Sequence, residues 1–176
     1  ITYFLKTVLL NYDKDKFEIY LYLDNKIEDE NTSEFRALVK KTCNISNLND
    51  IDATNSIRQD EIDIIFDVMG LSSVQRISLF KNRVAPKQIS WLGYCNTTGV
   101  DNMDYLISDP NLIYPEEECN YVEKIIYLPN IWNCHSELNV ERVDVEPPCL
   151  ENKYITFGSF NNFNKINDSV IDVWSQ

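Results

Sequence analysis

The chain has 176 residues, of which 44% are hydrophobic and 12% aromatic. This composition is typical of one packed globular domain, or slightly more, and excludes a disordered chain. The net charge of −12 argues against a general nucleic-acid binder, because such a protein presents a basic face. No apolar run approaches the roughly 18 residues that a membrane helix needs, so we expect neither nucleic acid nor membrane as a partner.

The cysteines favour a reduced, cytoplasmic protein with free thiols. Their number is odd and they form no C-x-x-C pair, whereas disulfide frameworks and zinc sites use paired cysteines. Only Cys134 and His135 are adjacent, so we predict no metal site. The cysteines are Cys43, Cys95, Cys119, Cys134 and Cys149.

The first sixty residues predict helices and one strand. Apolar residues at helical spacing predict a helix from Ile1 to Leu10, and alternation predicts a strand from Phe17 to Leu23. Asn31 with Glu34 resembles a capping pair at the start of a second helix. Residues 54–60 predict another short helix. The apolar positions of the second helix are Phe35, Leu38, Val39 and Thr42.

The middle of the chain predicts a parallel sheet. Residues 62–68 are nearly all apolar, as in a central strand covered on both faces. Gly70 allows a turn, after which Ser72 or Ser73 caps a helix that ends before Pro86. That helix carries Val74, Ile77 and Phe80. Further strands are predicted at 87–92, 104–108 and 124–128. Strands that alternate with helices imply an α/β fold with right-handed crossovers.

The last part of the chain predicts a connection and a new lobe. Residues 130–152 lack periodicity and contain Pro147-Pro148. A strand at 154–158 is followed by a helix capped by Asn167 or Asp168, with Val170, Ile171 and Trp174 on its apolar face. We therefore expect a first lobe at 1–129 that lacks its first strand, a connection at 130–152, and a truncated second lobe at 153–176. Both ends suggest a piece of a longer protein.

Residues 85–110 contain the most informative pattern. A buried strand leads into a turn rich in Gly and Thr, and the next strand ends on Asp109-Pro110. Turns at the carboxyl ends of strands in open α/β sheets are common ligand sites. The stretch resembles the pattern APVQVTWLGYPGTTG…MDYxLTDP of the O-GlcNAc transferase/SPINDLY-type glycosyltransferases.

Three further blocks carry the same resemblance in the family's order. Residues 59–70 resemble DGIDILVDLxGHT, residues 121–129 resemble YxEKxxxLP, and residues 154–167 resemble VTFGSFNNxxKIN. Together the four blocks extend over residues 59–167 of the chain. The chain is thus identified as a fragment of such an enzyme.

The resemblance implies a GT-B fold, in which two Rossmann-like lobes bind a nucleotide sugar between them. It implies inverting transfer of N-acetylglucosamine from UDP-GlcNAc to Ser or Thr hydroxyls of a protein or peptide, with no metal or other cofactor. Tetratricopeptide repeats often precede the catalytic region, although this chain contains none. Two alternatives stay open: an O-fucosyltransferase that uses GDP-fucose, and a non-catalytic scaffold that retains the fold.

Two residues of the last block are expected at the donor. Lys165 matches the lysine that, in the family, meets the donor diphosphate. Cleavage of the sugar–phosphate bond builds negative charge on the leaving diphosphate, and a lysine near a helix N-terminus stabilises that charge. Asn162 matches an amide residue near the donor. As an alternative, Asn161 and Asn162 are turn residues that hold the loop.

The turn after residues 87–92 is the candidate donor or acceptor loop, and Thr97 is the candidate donor contact within it. The alternative is an ordinary loop that ends a strand. Cys95 and Asn96 replace the Pro and Gly of the family pattern, although Asn tolerates a left-handed backbone. The other loop residues assigned to donor or acceptor binding are Gly93, Tyr94, Thr98 and Gly99.

No catalytic residue is named. Leu71 stands where the family has an aromatic residue or His, so any polar contact from that position is lost. Asp67 is predicted to be structural. His135 is the only histidine, and no family motif covers it. The histidine that the family uses would fall about two residues before Ile1.

Overall fold

The structure, a computed structural model, describes residues 1–72, 76–136 and 144–176. It consists of two compact units, Ile1–Leu138 and Asn139–Gln176. The lobe boundaries predicted at 129 and 152 stay a prediction.

The first unit is a mixed α/β structure with parallel strands. Its helices are α1 (Thr2–Asn11), α2 (Glu30–Leu38) and α3 (Asp50–Gln59), with 3₁₀ helices at Ile77–Asn82 and Pro115–Asn120. Its strands are β1 (Tyr20–Leu23), β2 (Lys41–Asn44), β3 (Ile64–Asp67), β4 (Lys87–Ser90), β5 (Tyr105–Ser108) and β6 (Lys124–Tyr127). Strands β1 and β2 form a parallel pair, and the other strands form a parallel sheet in the order β3-β4-β5-β6. The predicted parallel α/β class is confirmed.

The long apolar patterns predicted their elements well. The predicted ranges agree with the structure to within one residue for α1, and they include the whole of β1, β3, β4, β5 and β6. Helix α3 begins four residues earlier than predicted, directly after Asn49. The Asn49 side chain accepts a hydrogen bond from the Asp52 amide at 2.9 Å, which fixes that start.

The predicted start and end of α2 are wrong. Asp29, and not Asn31, is the N-cap, because its carboxylate accepts from the Thr32 amide at 2.9 Å while the Thr32 hydroxyl accepts from the Asp29 amide. The helix ends at Leu38, so Val39 and Thr42 lie outside it. Residues 41–44 instead form β2, which pairs with β1.

Strand β3 is not covered on both faces, contrary to the sequence prediction. It occupies one end of the four-stranded order, and its side chains alternate between buried and exposed positions. Ile64 and Phe66 are 48% and 44% exposed in the part of the chain that the structure describes. The core lies on the other face, where Ile65 packs with Ile57 of α3 and with Phe80.

A buried glutamine connects the core segments. Gln88 in β4 is fully buried, yet every polar atom of its amide has a partner. Its Oε1 accepts from the Val84 amide at 2.8 Å, and its Nε2 donates to the carbonyl oxygens of Phe80 and Asn102 at 2.8 Å each. These bonds join the segments before and after β4, because a buried amide is stable only when it is satisfied.

The connections contain less α-helix than an alternating βα pattern predicts. Residues 77–82 form a 3₁₀ helix, and the predicted helical residues Ser73 and Val74 lie outside the described residues. Between β4 and β5 the described chain is a loop, and between β5 and β6 it contains the short 3₁₀ helix.

The second unit contains short helices. They are α4 (Pro148–Asn152), a 3₁₀ helix at Phe163–Lys165, and α5 (Asp168–Trp174). The Asn167 side chain caps α5, as predicted. The strand predicted at 154–158 is wrong, because within residues 144–176 this segment pairs with no other strand and Phe157 is 91% exposed. In the described part of the chain, no helix has the length and apolarity that a bilayer span requires.

Candidate functional site

Strand β3 ends in a tight turn that Asp67 organises. Its buried carboxylate accepts from the Met69 amide at 3.0 Å and from the Gly70 amide at 3.1 Å. Burial raises the pKa of Asp67 above its usual value, and the two amide hydrogen bonds oppose that rise. The side chain thus points into its own turn, in agreement with its predicted structural role.

The turns after β3 and β4 approach each other closely at two glycines. A Cβ on Gly93 would lie 2.5 Å from the Met69 carbonyl carbon and would also contact the Val68 oxygen. Gly70 has φ +54°, and a Cβ there would lie 2.7 Å from the Tyr94 Cβ. Only glycine fits at such contacts, so these positions fix the relation between the two turns.

The residue before Gly93 has an unusual backbone. Leu92 has φ +82°, although its side chain is buried. A branched residue in this region is strained, and such strain persists only where surrounding packing imposes it. The backbone therefore leaves β4 by a fixed route that brings Gly93 against the β3 turn and leaves Tyr94 exposed.

Residues after β4, β5 and β6 are joined by hydrogen bonds. The Trp91 indole donates to the Trp132 carbonyl at 2.7 Å, and the Trp132 amide donates to the Asp109 carboxylate at 2.8 Å. Asp109 also accepts from the amides of Asn111 and Leu112 at 2.8 and 3.1 Å. Desolvation opposes ionisation of Asp109, but these amides outweigh it and lower its pKa.

The segments that follow the carboxyl ends of β3 to β6 therefore form one connected surface, which we call the carboxyl edge. Its two buried carboxylates, Asp67 and Asp109, are paired with backbone amides. The exposed side chains of the two glycine-bearing turns include uncharged Leu71, Tyr94 and Asn96. An anionic ligand could therefore approach this surface despite the net charge of −12.

Residues 97–100, the second half of the β4–β5 loop, lie at the opposite ends of the strands from the carboxyl edge. The Thr97 hydroxyl donates to the Glu123 carboxylate at 2.8 Å, and the Thr98 amide donates to it at 2.7 Å. The Thr98 hydroxyl also donates to this carboxylate. Glu123 is buried and directly precedes β6, so this cluster lies at the amino ends of the strands.

The Thr97 hydroxyl has further partners within the chain. It accepts from the amides of Gly99 and Val122, each at 3.3 Å. Of the loop residues that the sequence assigned to ligand binding, Gly93 and Tyr94 thus lie on the carboxyl edge. Thr97 and Thr98 bind Glu123 instead, and the Gly99 amide donates to the Thr97 hydroxyl. The assignment of Thr97 to the donor stays a prediction.

In the second unit, Lys165 and Asn162 lie in one short loop. Asn162 caps the 3₁₀ helix by accepting from the Asn164 amide at 3.0 Å, and Asn161 accepts from the Asn162 amide at 2.8 Å. Both side chains thus hold the turn, and the assignment of Asn162 to the donor stays a prediction. Lys165 is exposed and stands two residues before Asn167, the N-cap of α5. Its assignment to the donor diphosphate stays a prediction.

Sequence reasoning missed Glu123 and Gln88 as organising residues. Glu123 belongs to a recognised block, but nothing in that block indicates that the carboxylate is buried. Within the described residues, no group of three or more His, Cys, Asp and Glu side chains could bind a metal ion. The described cysteines are free thiols.

Comparison with known proteins agrees with this architecture. The model of glycosyl transferase family 41 matches residues 2–140. The chain belongs to this family. An O-GlcNAc transferase mutant (K341M) from Thermobaculum terrenum superposes with a TM-score of 0.88 and 30% identity, over 98% of this chain and 32% of that chain. The predicted GT-B class is thereby confirmed.

Two plant relatives share the whole length of the chain. A probable UDP-N-acetylglucosamine–peptide N-acetylglucosaminyltransferase SPINDLY from Solanum lycopersicum is 31% identical over 100% of this chain. A probable UDP-N-acetylglucosamine–peptide N-acetylglucosaminyltransferase SEC from Arabidopsis thaliana is 24% identical over 99% of this chain. The chain covers 19% of each relative, so it corresponds to about a fifth of their length.

Proposed function

We propose that the protein transfers N-acetylglucosamine from UDP-GlcNAc to Ser or Thr hydroxyls of cytoplasmic proteins. The observation that carries the proposal is the family 41 match over residues 2–140, which includes the whole carboxyl edge. The plant relatives bear the name of this activity. The free cysteines are compatible with a reducing compartment.

The proposed reaction needs no metal ion. An acceptor hydroxyl attacks the anomeric carbon in line with the departing UDP. The new glycosidic bond forms as the bond to the phosphate oxygen breaks, and the hydroxyl proton is released to solvent, so the configuration at that carbon inverts. Negative charge then develops on the β-phosphate. The exposed ammonium of Lys165 would stabilise this charge, as would the amides at the start of α5.

The carboxyl edge would receive the sugar. Its glycines bring two turns together, and Tyr94 is exposed beside them. Because Asp67 and Asp109 are already paired with amides, they would repel the sugar diphosphate less than free carboxylates. A rigid, strained turn that is fixed before binding avoids the cost of ordering it on binding.

A non-catalytic scaffold is the second candidate. Leu71 on the carboxyl edge favours it, because this exposed residue replaces the polar or aromatic side chain of the family pattern. Cys95 and Asn96 in the next turn also depart from the pattern, and both are exposed. Such a protein would keep the fold without turnover.

The test uses the complete protein that its gene encodes. It is incubated with acceptor proteins, EDTA and either UDP-GlcNAc or GDP-fucose, and modified Ser and Thr residues are mapped by mass spectrometry. We expect N-acetylhexosamine on these residues. Fucose on these residues would instead identify GDP-fucose as the donor. No modification with either donor would favour a non-catalytic scaffold.

Lys165→Ala in the same protein tests the proposed role of the ammonium group. We expect turnover to fall by roughly a hundredfold, in the range seen when a group that stabilises transition-state charge is removed. Lys26→Ala, at an exposed position of the first unit, serves as the charge-matched control. Wild-type turnover in Lys165→Ala would contradict this role.

A further inference from the structure

His135 lies on the segment that follows β6, beside the start of α1. The Ser136 amide donates to the Tyr3 carbonyl at 2.6 Å, and the Cys134 thiol donates to the Phe4 carbonyl at 3.2 Å. Three residues before His135, Trp132 joins the β4 and β5 turns. His135 therefore belongs to the carboxyl edge.

Aromatic contacts hold the imidazole in place. It stacks on the Tyr3 ring with centroids 5.7 Å apart and planes 13° apart. It also meets the Phe4 ring edge-on, with centroids 5.2 Å apart. The side chain is nevertheless exposed. Two ring contacts thus orient an imidazole that is still accessible to a ligand.

A backbone contact determines which ring nitrogen carries the proton. Nδ1 of His135 lies 2.6 Å from the Ser136 carbonyl oxygen. A carbonyl oxygen can only accept, so Nδ1 must be the donor. In the neutral imidazole, Nε2 then has a free lone pair. Within residues 1–72, 76–136 and 144–176, no hydrogen-bond partner of Nε2 is found.

We propose that Nε2 of His135 accepts a hydrogen bond from a hydroxyl group of a ligand bound at the carboxyl edge. The hydroxyl belongs either to the sugar of the donor or to the acceptor side chain. Sugars, serine and threonine are all hydroxyl donors, and an oriented neutral imidazole is a suitable acceptor for them. This inference rests on the proposed function and adds to it a binding residue that the family blocks do not contain.

Three substitutions separate hydrogen bonding from packing. His135→Phe keeps a ring against Tyr3 and Phe4 but removes both nitrogens. His135→Asn places its amide near the Nδ1 position, and His135→Gln places an acceptor oxygen near the Nε2 position. Each is made in the complete protein, and thermal melting establishes that each variant is folded. The measured quantity is kcat/KM for transfer.

We expect His135→Phe and His135→Asn to lower kcat/KM by roughly tenfold, and His135→Gln by roughly threefold, as for loss or weakening of one hydrogen bond. A packing role predicts the opposite order, with Phe the best replacement. A role through Nδ1 predicts Asn as the best. Either of those orders would overturn the inference while leaving the transferase intact.

Hydrolysis of UDP-GlcNAc, measured without an acceptor, shows whether the sugar or the acceptor supplies the hydroxyl. If the sugar supplies it, His135→Phe raises KM for UDP-GlcNAc in hydrolysis as well. If the acceptor supplies it, hydrolysis is unchanged and only the acceptor KM rises. A wild-type protein with neither transfer nor hydrolysis would overturn the proposed function and this inference together.

Discussion

The two halves of the β4–β5 loop have different roles, although they are only a few residues apart. The first half, 91–94, leaves β4 through a positive-φ Leu92 and a tightly packed Gly93, and it leaves Tyr94 exposed. The second half, 97–100, lies at the amino ends of the strands, where the Thr97 and Thr98 hydroxyls and the Thr98 amide donate to the buried Glu123.

This difference shows that polar residue type alone does not identify a ligand contact. The threonines of the loop have the chemistry of sugar-binding groups, yet their hydroxyls have partners within the chain. The first half has fewer polar side chains but lies where the segments after four strands meet. Changes to the second half should therefore affect stability alone, whereas changes to the first half should affect ligand binding as well.

Glu123→Ala should produce the largest effect on stability. It leaves the Thr97 and Thr98 hydroxyls and the Thr98 amide without their acceptor in a buried site. We expect a loss of about 4 kcal/mol in the free energy of unfolding, measured by urea denaturation. Glu116→Ala, at an exposed position, is the control and should change it by less than about 0.5 kcal/mol. Equal effects of the two substitutions on the free energy of unfolding would contradict the stabilising role of the Glu123 hydrogen bonds.

Gly93→Ala should disturb the carboxyl edge most. The new Cβ would overlap the backbone of Met69 and Val68, which cannot move aside as a flexible side chain would. We expect a loss of about 3 kcal/mol in stability and at least a roughly tenfold fall in transfer rate.

Gly99→Ala is the matched control in the second half of the loop. A Cβ there meets no atom within 4 Å, but φ is +66°. We expect a stability loss of about 1 kcal/mol from the backbone alone, with transfer nearly unchanged. A larger loss of transfer from Gly99→Ala than from Gly93→Ala would reverse the assignment of the two halves.

Thr97→Val should have a moderate effect that is confined to stability. Valine matches threonine in shape but cannot donate to Glu123 or accept from the Gly99 and Val122 amides. We expect a loss of about 2 kcal/mol and a KM for UDP-GlcNAc within roughly twofold of wild type. A raised KM without a change in stability would restore the role in donor binding that the sequence suggests for Thr97.

The smallest effects concern pH, and they differ in sign at the two carboxylates of the carboxyl edge. The pKa of Asp109 is lowered from 3.8, so its stabilisation is present above that value and is lost as pH falls through the lower, folded-state pKa. The pKa of Asp67 is raised from 3.8, so its contribution is present below that value and is lost as pH rises through the folded-state pKa.

Thermal midpoints of Asp109→Asn and Asp67→Asn between about pH 2 and pH 7 test these signs. Asp109→Asn should flatten the wild-type pH dependence on the acid side of 3.8, and Asp67→Asn should flatten it on the opposite side. The same change in pH dependence in both variants would contradict the opposite directions of the pKa shifts at Asp109 and Asp67.

Much of the sheet could be predicted from the sequence because β3, β5 and β6 are short, mostly apolar runs, and the polar strand β4 leads directly into Trp91 and Leu92 within a family block. Strand β2 could not, because Lys41–Asn44 is largely polar and its strand character comes from pairing with β1. The segment at 154–158 shows the converse. It is apolar, yet it is not a strand, since a strand requires a partner for its backbone groups.

The candidate site was predictable only in part. Family resemblance drew attention to Gly93 and Tyr94, which the structure places on the carboxyl edge. Three-dimensional contacts were needed to show that Thr97 and Thr98 bind Glu123 and that Gln88 is a buried link between loops. Sequence spacing could not orient His135, because its partners Tyr3 and Phe4 are more than a hundred residues away.

Amide hydrogen exchange of the complete protein, with and without UDP-GlcNAc and resolved to single residues, tests the division of the loop most directly. We predict that the ligand slows exchange at residues 67–71, 92–96 and 132–136, and leaves residues 97–100 and 122–124 unchanged. Protection of residues 97–100 without protection of 92–96 would contradict the account.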